Sequence, residues 1–108
     1  MTVNELARTC GFDAVNLSDP DKKIDGVYVG DLLSWVMGRA VSGNVWITIM
    51  SNVNVIAVAS LADVSCVVLA EGVTLDDDVL AAAKARGINV LASGAPIYET
   101  AIKIGGIL

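Results

Sequence analysis

The sequence predicts a single α/β domain over residues 1–108, built on a mainly parallel sheet flanked by helices. Three observations carry that expectation. Val45–Met50 (VWITIM) is almost continuously apolar and rich in β-branched and aromatic residues, as in a strand covered by helices on both faces. From there the chain alternates strand-like and helix-like segments joined by short loops. A β-α-β-α-β-α order requires parallel strands linked by right-handed crossovers. The hydrophobic fraction of 55% is above the ordinary globular range, and aromatics make up only 5%. The excess is Ala, Val, Ile and Leu, which suits doubly covered strands and a surface shielded by another subunit. A chain of 108 residues buries roughly 65% of the surface it exposes when unfolded, enough for one core without staples.

The N-terminal half is read as follows. Thr2 to Glu5 has the T-x-x-E spacing of a capping box, opening a short helix that stops at Gly11. Ala14–Leu17 is a strand candidate, and Ser18–Lys23 is a polar loop. Ile24–Val29 forms a second strand ending at Gly30. Asp31 then caps a helix, Leu32–Ala40, apolar on several sides and so expected to have two neighbours. Ser42–Asn44 leads into the strand Val45–Met50.

The C-terminal half gives stronger signals. Asn52 caps the helix Val53–Leu61, although its Val and Ile content would also suit a strand. Ser65–Ala70 is a short buried strand. Asp76, Asp77 and Asp78 open the next helix, and Lys84 and Arg86 fall in its last turn, both signs complementing the helix dipole. Gly87 ends it. Ile88–Leu91 is the last strand, and Pro96 suits the first turn of a helix running through Lys103, ended by Gly105 and Gly106.

Composition excludes several functions. Net charge is −5 and no basic cluster exceeds Lys22–Lys23, so neither nucleic acid nor an anionic membrane surface is an expected partner. The chain has no His, the commonest metal ligand and the commonest general base at neutral pH. No metal site and no cofactor are expected. Cys10 and Cys66 lack metal or redox spacing and read as reduced core thiols of a cytoplasmic protein. The N-terminus is amphipathic rather than basic and then apolar, so no secretory signal is expected. No uninterrupted apolar run reaches ~18 residues, so no transmembrane span is expected.

Ligands of open α/β sheets bind at the C-terminal ends of the strands. Here those ends are Met50–Asn54, Ala70–Gly72 and Ala92–Pro96, each followed by a helix start. Ser51, Asn52, Asn54, Glu71, Gly72 and Asp31 are therefore the candidate ligand-binding residues. Asn52 and Asn54 each offer an amide that both donates and accepts. Capping by Asn52 and a ligand role are compatible. No catalytic residues are identified. Gly38 and Gly43 have the glycine spacing of a phosphate loop, but they follow a helix, and Asn44–Val45 replaces the required Lys and hydroxyl residue. Asp31, Ser34 and Arg39 lack a base beside the serine. Asp76–Asp78 read as a solvated helix end, and Trp35 and Trp46 as core or subunit contacts.

Gly30–Arg39 (GDLLSWVMGR), Trp46–Asn54 (WITIMSNVN) and Cys66–Gly72 (CVVLAEG) together resemble the small stand-alone DRTGG-domain proteins. These are similar to the N-terminal domain of HPr kinase and to the DRTGG domains of CBS-domain pyrophosphatases. The resemblance covers nearly the whole chain and implies a compact domain with a mixed, mainly parallel, five-stranded sheet. It implies a regulatory or assembly role without chemistry in this domain. Of the naming motif, only Gly72 is kept: Ser51–Asn52 stands where Asp-Arg is expected, and Ala70–Glu71 where Thr-Gly is expected. The expected function is thus a non-catalytic regulatory or interaction module, a homodimer or larger homo-oligomer, with a small ligand at the strand edge. The alternative is a small enzyme or accessory subunit of a phosphoryl-transfer system whose site is shared between subunits.

Overall fold

Side-chain alternation in the central strands divides the core into two layers. The computed structural model describes residues 1–108. Its strands are β1 (Asp13–Asn16), β2 (Val27–Val29), β3 (Val45–Thr48), β4 (Cys66–Leu69) and β5 (Val90–Ala92). They form one five-stranded sheet in the order β1-β5-β4-β3-β2. All neighbours pair in parallel except β1, which runs antiparallel to β5. The sheet is therefore mixed and mainly parallel. Every residue of β3 and β4 is buried. Trp46, Val67, Leu69 and Val90 point to one face, and Val45, Ile47, Cys66, Val68 and Leu91 to the other.

The first face is covered by α2 (Leu33–Arg39), α3 (Val53–Ala62) and α4 (Asp77–Arg86), the second by α1 (Val3–Cys10) and α5 (Ile97–Gly105). Trp46 is fully buried, and its indole Nε1 donates to the Gly30 carbonyl at 2.9 Å. That bond satisfies the one polar atom of the largest core side chain.

Helix boundaries follow from their caps. Thr2 Oγ1 accepts from the Glu5 N–H and a Glu5 carboxylate oxygen accepts from the Thr2 N–H, each at 3.2 Å, the expected capping box. Gly11 (φ 71°) and Gly87 (φ 68°) end α1 and α4 in the left-handed conformation that glycine adopts without penalty. Asn52 caps α3 through its Oδ1, 2.9 Å from the Asn54 N–H. α3 is a helix despite its β-branched residues, because β3 and β4 lie side by side in parallel and only a crossover can join them.

Three expectations are corrected. Asp31 does not cap α2: the cap position is Leu32, without a side-chain hydrogen bond. The Asp31 carboxylate instead accepts from two donors at the exit of β3, the Thr48 hydroxyl and the Ile49 N–H. The two neighbours of α2, the sheet and α3, do not cover all of its apolar sides. Val36 alone is buried in that helix, while Trp35 and Met37 are about half exposed. Pro96 is the cap residue of α5 instead of lying in its first turn, because its backbone is extended there (ψ 158°), and the first α5 N–H, that of Ile97, is taken by a side chain from another loop.

The opposite, N-terminal edge of the sheet is held by asparagines. Asn89 Oδ1 accepts from the Asp19 N–H at 2.9 Å, and its Nδ2 donates to the carbonyls of Asp19 (2.7 Å) and Ser65 (3.0 Å). Asn44 Oδ1 accepts from the Val41 N–H at 2.9 Å and its Nδ2 donates to the Asp25 carbonyl at 2.7 Å. Asn16 Nδ2 donates to the Ile88 carbonyl at 2.8 Å.

Burial pushes the Cys66 thiol up to about 12, and raises that of Cys10. Only the thiolate reacts with disulfide reagents. At pH 8, Cys66 is expected to resist such reagents until the whole domain opens, so its labelling rate reports global unfolding. Labelling kinetics followed across a urea series check this. A Cys66 rate near that of a free thiol in native buffer would contradict its place in the centre of the sheet.

Candidate functional site

Strands β2 to β5 run in parallel, so their C-terminal ends share one edge of the sheet. Asp31 leaves β2 there, Ser51, Asn52 and Asn54 leave β3, and Glu71 and Gly72 leave β4. Because β2, β3 and β4 are successive neighbours, the fold brings all six candidate residues to this edge.

At two of the three exits, those of β2 and β4, the candidate residues are committed to bonds with neighbouring exits. Asp31 Oδ1 accepts from Thr48 Oγ1 at 2.7 Å and from the Ile49 N–H at 3.1 Å. Thr48 Oγ1 in turn accepts from the Met50 N–H at 3.2 Å. This chain of bonds fixes the bend by which β3 leaves the core. Glu71 has a left-handed backbone (φ 62°), and its N–H donates to the Ala95 carbonyl at 2.8 Å. A Glu71 carboxylate oxygen accepts from the Ile97 N–H at 2.7 Å, so this acid caps α5 from a distance. The Gly72 N–H donates to the Ser93 carbonyl at 3.1 Å. Beneath that loop the buried hydroxyls of Ser93 and Thr100 are 2.9 Å apart, and Ser93 Oγ accepts from the Ala95 N–H. The β4 and β5 exits are thus joined to each other.

The β3 exit differs. Asn52 uses its Oδ1 to cap α3, leaving its Nδ2 donors outward. The Ser51 hydroxyl and the Asn54 amide make no hydrogen bond within the chain, and Asn54 is exposed. The edge is open and forms no enclosed pocket. The loops that build it contain Asp31, Glu71 and Asp76 but no Lys or Arg. No three acidic or thiol side chains converge anywhere to hold a metal ion. The triplet Asp31, Ser34 and Arg39 is not assembled either. Asp31 faces β3, whereas the Arg39 guanidinium stacks on Trp35 with its carbon 3.8 Å from the ring centroid.

Sequence reasoning missed Thr48, Ser93 and Thr100 as the polar supports of this edge. Thr48 had a signal, being the one polar residue in an otherwise apolar strand. Thr100 had none, because its partner lies in a loop joined to it only by folding.

No family model matches the chain, and neither does any curated protein. Among solved structures, it is similar to the CBS and DRTGG domains of the regulatory region of a Clostridium perfringens pyrophosphatase, a crystal structure in complex with an activator, diadenosine tetraphosphate. The TM-score is 0.75 at 17% sequence identity, covering 95% of this chain and 45% of that one. At this identity the likeness establishes a shared fold. The chain spans less than half the length of that structure.

Proposed function

We propose that this chain is a non-catalytic regulatory or interaction module that binds a small ligand at the Ser51–Asn54 edge and works as an oligomer. The observation that carries the reading is the fold likeness, over 95% of the chain, to a pyrophosphatase regulatory region. The β3 exit adds to it: outward amide and hydroxyl groups lie where parallel sheets receive ligands. Asp31 and Glu71 border this edge without a nearby Lys or Arg in the loops. The ligand group it favours is therefore neutral or weakly anionic, such as a nucleobase amide or a ribose hydroxyl, with any polyphosphate directed away. A phosphoryl-transfer subunit would need Asp31 or Glu71 as its acid or base, and both already accept hydrogen bonds from the chain's own donors.

Thermal unfolding against diadenosine tetraphosphate, ATP, AMP and inorganic phosphate tests the ligand. A ligand at a hundred times its Kd stabilises the folded state by about 2.7 kcal/mol, a readily measured rise in Tm. Asn54→Ala is expected to abolish that rise and leave the unliganded Tm nearly unchanged. Asn52→Ala is expected to abolish it and to cost about 1 kcal/mol of basal stability through the lost cap. Asn52→Asp keeps the cap while removing the amide donors, which separates the two roles. No rise with any of the four compounds would remove the ligand from this reading. Turnover of ATP by the isolated protein, lost in Asp31→Ala, would favour the enzyme instead.

A further inference from the structure

The two edges of the sheet are treated differently. β1 closes one side with Asp13 in the strand and a register break between Ala14 and Asn16, and Asn16 turns its side chain back to the Ile88 carbonyl. Charges and bulges of this kind prevent an edge from pairing with another strand. β2 closes the other side with Val27-Tyr28-Val29, uncharged and in unbroken register with β3. Its backbone has a free side. The Gly26 carbonyl accepts from the Val45 N–H and the Gly30 N–H donates to the Ile47 carbonyl, so even-numbered residues bond inward to β3. By alternation, the N–H and C=O groups of Val27 and Val29 point outward.

We infer that β2 pairs antiparallel with β2 of a second copy of this chain, joining the two sheets about a twofold axis at Tyr28. This rests on the proposed oligomer and specifies how it forms. Only that centre lets Val27 exchange both bonds with the partner's Val29, and Val29 with the partner's Val27, while Tyr28 opposes the partner's Tyr28 as a non-hydrogen-bonded pair. The contact is self-complementary, as a twofold interface must be. Apolar side chains meet apolar side chains, since Val27 is 37% and Val29 46% exposed. Pairing of so short a strand falls below the ~800 Å² per partner that stable complexes bury. The exposed Leu32, Trp35 and Met37 at and along α2, which covers this end of the sheet, extend the apolar contact. A second copy thereby covers apolar side chains of α2 that its own neighbours leave exposed. Each copy carries a net charge of −5, so association is expected to strengthen with salt.

Light scattering on the wild-type chain at tens of micromolar tests this, with circular dichroism as a check of folding. The expected mass is twice the 11.2 kDa of one chain, rising in population as sodium chloride is added. Val27→Lys with Val29→Lys is expected to give a folded monomer. Tyr28→Cys is expected to give a disulfide-linked dimer on mild oxidation, because opposed residues of a non-hydrogen-bonded pair sit at disulfide distance. That variant also decides the matter if the double lysine variant fails to fold. A wild-type monomer would overturn both the oligomer and this interface. A dimer that salt weakens, that survives the lysines, or that Tyr28→Cys does not link would overturn this interface alone and leave the oligomer standing.

Discussion

Trp46→Ala is expected to destabilise the protein by about 3–5 kcal/mol, a large part of the roughly 5–15 kcal/mol that holds a domain of this kind. Two losses combine. The indole is fully buried at the centre of the layer shared by α2, α3 and the sheet, so truncation leaves a cavity that fixed strands on either side cannot close. The Gly30 carbonyl also loses the Nε1 donor 2.9 Å away, at the point where β2 turns into the segment carrying Asp31. Trp46→Phe keeps most of the volume and removes the donor, and is expected to cost about 1–2 kcal/mol. Urea unfolding followed by circular dichroism measures both. Equal, small losses for the two variants would show that the indole is not the anchor of this layer.

Asn89→Ala is expected to cost about 2–3 kcal/mol, more than an ordinary surface asparagine by several-fold. The side chain is 2% exposed and satisfies the N–H and carbonyl of Asp19 and the carbonyl of Ser65. Its removal takes the partner from three backbone groups at once, the buried Ser65 carbonyl among them. Asn89→Leu fills the volume without the bonds and is expected to fare no better, which identifies hydrogen bonding rather than packing as the cause. Chemical denaturation of both variants beside the wild type is the measurement. A loss under about 0.5 kcal/mol, the usual range of surface changes, would mean that water replaces the amide.

Most of the fold was legible because its signals are local. The apolar run of β3 and the alternation of helix and strand after it specify parallel strands. The capping box at Thr2 and Glu5, the acids and bases at the ends of α4, and Gly11 and Gly87 mark helix ends through groups within a few residues of each other. The candidate edge was legible for the same reason, since it follows from where strands stop. The role of Asp31 was not. A cap was the nearest use for its carboxylate, but the chain places Thr48 and the Ile49 N–H beside it across 17 and 18 residues of sequence. Glu71 likewise caps a helix 26 residues away, a pairing that no spacing rule contains.

The sequence alone determined the secondary elements, the parallel core of the sheet, the absence of histidine chemistry and the acidic character of the molecule, since periodicity, capping and charge act within a few residues. The tertiary structure decided which polar groups remain outward at the strand ends and which edge of the sheet is protected. It committed Asp31, Glu71 and Gly72 to internal bonds and left Ser51, the Asn52 amide donors and Asn54 available. It placed a broken, charged strand at one edge and Val27-Tyr28-Val29 at the other. The physical reason is the same in both cases. A hydrogen bond or an unpaired edge depends on which segments meet in space, and sequence distance carries no information about that meeting.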